Sequence, residues 1–408
     1  MYSHVQPCLA KMTTGPESVH SFAIPVTDED TLVKNGRLLG IAAAVAALAI
    51  GVAGCGGSAQ GDSSSPAANA TSAQAAGGMD ALVKAAKAEG TLNVITLPRT
   101  WANYGALMDT FTKKYGIKIN DANPDGSSQD EINAVKQLKG QTRAPDVLDL
   151  GSSFALSAAS SGLLAPYKVA TWNDIPDNQK AANGDWYNDY GGYISIGYDA
   201  NRVHVAPKSF ADLTNPAYKG EIALNGDPTK AGAAFAGVFA AALAKGGNFD
   251  NIQPGIDYFA QLKQNGNFIP VGATQATIQS GQTPITIDWD YLQVSAAQTL
   301  AGKVNWKVVV PSDGLYANYY NQAISASAPH PAAARLWEEF LYSAEGQNLF
   351  LQGAARPVEL AAMQSAGTVD QKALSALPQV NGTAKFPTQQ QLDTATKTIA
   401  GNWASSVG

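Results

Sequence analysis

Between residues 91 and 150, short apolar runs alternate with segments whose apolar side chains recur every three or four places. This alternation limits the possible folds more than any other feature. Met79, Leu82, Val83 and Ala86 form the stripe of an amphipathic helix that Gly90 ends. The run TLNVITL at 91–97 follows as a strand, and Pro98-Arg99-Thr100 turns the chain into a helix carrying Trp101, Tyr104, Leu107, Met108, Phe111 and Tyr115 on one face. A strand at 117–120, a helix through Ile132, Val135 and Leu138, a strand at 146–150 and the turn GSSF at 151–154 repeat the pattern. Strands alternating with helices predict an α/β layer with a largely parallel sheet.

The alternation restarts after Asp199, with a strand at 221–224, the turn NGDPTKAG and a helix carrying Phe235, Val238, Phe239 and Leu243. A helix near 256–262 and strands at 268–271, 284–289 and 306–310 continue it. Beyond Pro311 come a strand at 323–326, a helix with Ala333, Leu336, Trp337, Phe340 and Leu341, and C-terminal helices expected to pack on the first half. A globule of about 330 residues buries ample core and divides into two lobes.

The residues before Met79 read differently. Lys34 and Arg37 precede LLGIAAAVAALAIGVAG, a charged n-region followed by an apolar h-region. The run is short and Ala/Gly-rich for a span of ~20 strongly apolar residues, so residues 34–54 read as a secretion signal; a transmembrane anchor is the plain alternative. Residues 55–78 are small and polar, without aromatics, and are expected to be a flexible tether. As a coil it would hold the globule roughly 25–30 Å from the membrane. Residues 1–33, with an Asp28-Glu29-Asp30 cluster that suits no n-region, read as an extension from a start site set too early, with Val33 as the expected initiator.

The chain has two cysteines, Cys8 and Cys55, so no disulfide supports the globule. Of 33 acidic and 27 basic side chains, five and three precede Met79, leaving a net charge of −4 without a basic stripe. That argues against nucleic acid as a partner.

Two resemblances follow from particular residues. Val52-Ala53-Gly54-Cys55 resembles the lipobox of bacterial lipoproteins, which implies a lipidated Cys55 and attachment to the outer face of the cytoplasmic membrane or the periplasm. EGTLNVITLP, RAPDVLDLGSSFA, PAYKGEIALNGDP, TPITIDWD and APHPAAARLWEEFLYSAEGQ, in this order, resemble the extracellular solute-binding lipoproteins of bacterial ABC importers, within the cluster of polyamine, ferric-iron and phosphonate binders. The resemblance covers nearly all of 79–404. It implies a two-lobed periplasmic-binding-protein type II fold with two crossover strands, near 190–198 and 310–321. The expected division is 79–194 for the first part of lobe 1, 195–312 for lobe 2 and 313–408 for the return to lobe 1. It also implies a monomer that captures a small solute, delivers it to permease and ATPase subunits, and needs no cofactor.

Ligands in open α/β sheets sit beyond the carboxyl ends of strands. The candidate cleft residues are therefore Trp101, Asn103 and Tyr104, then Ser152, Ser153 and Phe154, with Tyr190 on the first crossover. On the second lobe they are Asp227 and Thr229, then Asp288, Trp289, Asp290 and Tyr291. Trp101 is equally readable as a core residue, and Asp227 before Pro228 as a turn or cap residue. Asp-Trp-Asp at a strand end offers stacking and charge together, which suits an ammonium. In YANYYN, at 316–321, Tyr316, Asn318 and Tyr320 share one face of a strand and Ala317, Tyr319 and Asn321 the other. Polyamine binders of the family have an aromatic and a carboxylate here, where this chain has Asn318 and Tyr320.

An organic cation is the expected solute. An anion at the helix-opening turns GSSF and DPTKAG, or iron on paired tyrosines, is the alternative. Catalysis has little footing. His204 and His330 lack metal-ligand spacing, no serine sits in a G-x-S-x-G elbow, and a secreted hydrolase or an adhesive lipoprotein is left as an alternative class.

Overall fold

The computed structural model describes residues 66–382 and 384–408, which form one compact unit. The residues expected as a secretion signal, Cys55 and the residues expected as an N-terminal extension lie outside the described residues. The strands in chain order are β1 Thr91–Ile95, β2 Lys118–Ala122, β3 Val147–Gly151, β4 Leu164–Ala165, β5 Tyr187–Asp199, β6 Ile222–Leu224, β7 Ile285–Trp289, β8 Trp306–Val309, β9 Ala317–Ser325 and β10 Arg356–Pro357.

In the first lobe β1 pairs in parallel with β2. Asp146 N donates to Asn93 O at 2.9 Å, and the Asp146 carboxylate takes Asn93 N at 2.6 Å, which brings β3 alongside β1. β3 pairs antiparallel with β9, and β9 with the first half of β5. The second lobe sets β7 between β5 and β6, with β8 also on β5. β5 thus serves both sheets. Through Tyr193 it pairs with β9, and from Ile194 onward with β7 and β8.

Local chemistry explains the element ends. The helix Met79–Glu89 stops where Gly90 takes φ +69° and its N–H caps Ala86 O, a left-handed conformation that costs other residues a Cβ clash. Helices Ser128–Gln137 and Gln389–Ser406 open on capping boxes, Ser127 with Asp130 and Thr388 with Gln391. The first-lobe core is aromatic: Tyr104 packs on Tyr190, Trp337 and Phe350. The second lobe buries helix Gly232–Ala244 almost completely, as its all-apolar sequence requires.

Four expectations need correction. The sheet, expected to be largely parallel, is mostly antiparallel: among the described strands only β1–β2 and β6–β7 pair in parallel, because β5 and β9 run against their neighbours. Residues 66–78, expected as tether, include the 3₁₀ turn Pro66–Asn69, bury Ala67, Ala70 and Ala76, and give the Ala70 carbonyl to Arg335 Nε at 2.6 Å. Alanine methyls are small enough to seat against helices that a composition argument treats as having no partner. The strand expected at 268–271 is a single bridge from Phe268 to Ile222. The last helix, expected on the first lobe, touches both. It lies against helix Ser152–Ser160 and against helix Gln253–Gln264 of the second lobe, where Trp403 meets Phe259 at 5.7 Å.

Candidate functional site

A cleft of about 500 Å³ opens between the lobes. From the first lobe its wall is built by residues beyond two strands, Thr96, Pro98, Thr100 and Trp101 after β1 and Asp125 to Ser128 after β2, and by Asp149 within β3. Asn225, Ala231 to Ala233, Thr274 to Ala276, Asp288 and Gln293 face them from the second lobe, and Tyr320 of β9 joins the floor. Ser295 Oγ donates to Thr100 O at 2.8 Å, a direct bond between the lobes. Thr96 holds φ +53°, a costly conformation for a β-branched residue and of the kind found at ligand sites.

The polar side chains are chained together. Trp101 Nε1 donates to the Tyr190 hydroxyl at 2.6 Å, which donates to Asp149 Oδ2 at 2.7 Å. Glu131 Oε2 accepts the N–H of Asp149 at 2.9 Å, so a helix carboxyl and a strand carboxyl meet at the middle of β3. Across the cleft Asn225 Nδ2 donates to Asp288 Oδ2 at 2.9 Å, and Trp289 N to Asp288 Oδ1 at 2.7 Å. Burial raises the pKa of Asp288 to about 7, against the lowering effect of these two bonds. Burial likewise raises Glu131 well above the carboxylate range, with Asp149 adding to the rise, and raises Asp149 against the bonds from Tyr190 and Tyr104.

Among the described residues the cleft wall carries four carboxyl groups, Asp125, Glu131, Asp149 and Asp288, and no lysine, arginine or histidine. Of the residues expected from sequence, Trp101, Asp288 and Tyr320 reach this wall. Tyr190 reaches it at one remove, through Trp101 and Asp149.

Ser152, Ser153, Trp289, Tyr316 and Asn318 gather instead around a recess of about 10 Å³ that Tyr320 divides from the cleft. Trp289, expected to stack on the solute, is 2% exposed and stacks on Tyr291 at 6.2 Å. Tyr104 and Tyr291 are core residues, and Phe154 belongs to a separate apolar cluster with Ile132 and Leu150. Asn103 faces away, donating to Leu349 O at 2.8 Å. Asp227 and Thr229 form a turn in which Asp227 Oδ1 accepts the Thr229 N–H and hydroxyl. Asp290 is fully buried on Arg356.

Sequence reasoning passed over Thr96, Asp125, Ser127, Ser128, Glu131, Asp149, Asn225 and Thr274. Asp149 carried a usable signal: an acid inside the otherwise apolar strand VLDLG is expensive to bury unless it has work to do.

A family model described as bacterial extracellular solute-binding protein matches residues 143–380, more than half of the chain. The chain belongs to this family. As a solute-binding protein of an ABC importer it acts outside the cytoplasm and binds rather than transforms its ligand. An uncharacterised protein of Haemophilus influenzae is 26% identical to it over 251 residues, 59% of this chain and 69% of that one. Solved structures share the two-lobed fold. The periplasmic binding protein AfuA of Actinobacillus pleuropneumoniae, with fructose-6-phosphate bound, is 21% identical with a TM-score of 0.61, covering 78% of this chain and 99% of that one. Iron-bound HitA of Pseudomonas aeruginosa is 22% identical with a TM-score of 0.55, over 78% and 99%. AgtB of A. tumefaciens R10, in complex with agropinic acid, is 17% identical with a TM-score of 0.61, over 78% and 98%. The cleft of this solute-binding protein is walled by Asp149 of β3 on one side and Asp288 of β7 on the other, with Tyr320 of β9 between.

Proposed function

We propose that the solute carried by this binding protein is a small organic cation with one or more ammonium groups. The observation that carries the reading is the make-up of the cleft wall: four carboxyl groups line it, no basic side chain among the described residues accompanies them, and an ammonium would favour their ionised form. An ammonium placed between Asp149 and Asp288 would meet carboxylates from both lobes, and Trp101 and Tyr320 offer ring faces beside them. Contacts from both lobes favour the closed state, since a ligand shifts a conformational equilibrium by its differential affinity for the two states.

A second reading has one observation of its own. Helices Ser128–Gln137 and Gly232–Ala244 both begin at the cleft, and helix N-termini favour phosphate or carboxylate. Buried carboxyls that stay protonated near neutrality would then accept and donate to sugar hydroxyls. The ferric alternative draws less support, because Tyr319 turns to Phe386 at 5.8 Å while Tyr320 lies on the cleft floor. No cluster of three or more His, Cys, Asp or Glu among the described residues could hold a metal.

Calorimetric titration with spermidine, putrescine, fructose-6-phosphate and ferric citrate separates these readings. Binding of a diamine or triamine with no response to the phosphate is the expected result. Binding of the phosphate alone would replace the cation reading with the second one.

We also propose that the protein is a monomer tethered through a lipid on Cys55. Radiolabelled palmitate should enter the full-length protein in cells and fail to enter a Cys55→Ala variant; equal labelling of both would remove the anchor from Cys55.

A further inference from the structure

We propose that the buried pair Arg356–Asp290 fixes the pivot about which the two lobes close, so that Arg356, which does not line the cleft, sets how much of the ligand-free protein is poised to bind. The two residues come from different lobes. Arg356 lies on β10, paired with β5 in the first lobe, and Asp290 opens helix Asp290–Thr299 in the second. Their guanidinium and carboxylate meet at 2.5 Å, with the Asp290 side chain fully buried.

The carboxylate also holds the strand that joins the lobes. Asp290 Oδ1 accepts the N–H of Tyr193 at 3.0 Å, and Tyr193 is the last residue of β5 to pair with β9 before the strand passes to β7. The same oxygen accepts Tyr291 N at 3.0 Å. Arg356 in turn lies over the Tyr193 ring at 4.8 Å and donates to Pro378 O at 3.2 Å. One charge pair therefore holds the crossover strand through both the backbone and the ring of the residue where it changes sheet.

The backbone beside it is built for this contact. A Cβ on Gly192 would fall 2.3 Å from Asp290 Oδ1 and 2.8 Å from the Tyr291 ring, so only glycine lets the carboxylate reach the strand. The register of β5 on β9 shifts between Asn188 and Gly191, a local irregularity next to the same point. A buried ion pair is a poor source of net stability, because desolvation offsets the attraction, and its better-attested use is to specify one arrangement over others. Here the arrangement it specifies is the angle at the crossover.

The inference rests on solute capture by lobe closure and holds whichever solute the cleft takes. The experiment measures the distance between spin labels at Lys113 and Lys303, one on each lobe, in the ligand-free protein with Cys8 and Cys55 replaced by serine. In Arg356→Met the distance distribution should broaden toward longer separations, while Arg356→Lys keeps most of the parent distribution. Spermidine affinity, measured in parallel, should fall about five- to tenfold in Arg356→Met, within the usual range of coupling between distant sites. A parent-like distribution in Arg356→Met with only a lower melting temperature would overturn the proposal and leave an ordinary structural ion pair. If Arg356→Met does not fold, the double variant Arg356→Met/Asp290→Asn, which buries no lone charge, and Gly192→Ala, which pushes the carboxylate off the strand with both charges kept, give the same readout. The label distances need no ligand, so failure of the cation reading leaves this test intact.

Discussion

Tyr190 and Tyr320 stack with ring centroids 5.8 Å apart and planes 3° from parallel. One sits on the first-lobe part of β5 and the other on β9, so the two neighbouring strands are locked ring to ring just beneath the cleft. Trp101 closes on the same pair, edge-on to Tyr320 at 5.5 Å and bonded through Nε1 to the Tyr190 hydroxyl. The cleft wall and the packing of β5 on β9 therefore share side chains.

Replacing Trp101 with alanine should weaken spermidine binding at least tenfold, because it removes a cleft face and frees the Tyr190 hydroxyl. Trp289→Phe should leave affinity within about threefold, since Trp289 is buried behind Tyr320. Its effect should appear as a loss of roughly 1–2 kcal/mol in denaturant unfolding, the order expected for a reshaped core. Equal loss of affinity in the two variants would return Trp289 to the binding surface.

The pH dependence has a definite sign. The folded-state pKa of Asp288 is raised by burial to about 7, so the folded protein holds this proton more tightly than the unfolded chain does. Its contribution to stability is fully present below the unfolded value and is lost as pH rises through about 7. Glu131 and Asp149 shift in the same direction for the same first cause. The ligand-free protein should therefore lose melting temperature between pH 5 and 8, and Asp288→Asn should flatten part of that slope. A melting temperature that climbs steadily over the same interval would contradict these shifts.

Cation binding should run the other way. An ammonium needs the carboxylates charged, so affinity should rise by about tenfold per unit of pH below the Asp288 value and level off above it. Isothermal titration in buffers of different ionisation enthalpy should register proton release at pH 6. Proton uptake at that pH would favour the anionic solute.

Trp403→Ala should destabilise the protein by about 3–5 kcal/mol, the usual cost of emptying a large aromatic site. Trp403 fills the space between Phe259 and Phe268 of the second lobe. Chemical denaturation would measure the loss, and a change under 1 kcal/mol would mean that the last helix is loosely held.

Much of the architecture was legible in the chain. Periodicity located the helices carrying Phe111 and Trp337, and the apolar runs located β1, β3 and β7, because those patterns are set by a single neighbouring layer. The site was only partly legible. The rule that ligands sit beyond strand ends led to Trp101 and Asp288, but it cannot say which of several adjacent side chains turns inward. In Asp288-Trp289-Asp290 the first lines the cleft, the second enters the core and the third grips Arg356. Three neighbours with three destinations are decided by partners distant in sequence. Glu131 was hidden for the same reason: on a helix it reads as a solvated acid, and only the approach of Asp149 N buries it.

The last helix has a mechanical consequence. It touches both helix Ser152–Ser160 and helix Gln253–Gln264, and its Leu392 borders the recess beside the cleft. A movement that parted those two helices would peel this helix from one of them, exposing apolar area at about 25 cal/mol per Å². The last helix is in that sense a staple across the two lobes, holding them by apolar contact that is independent of the solute.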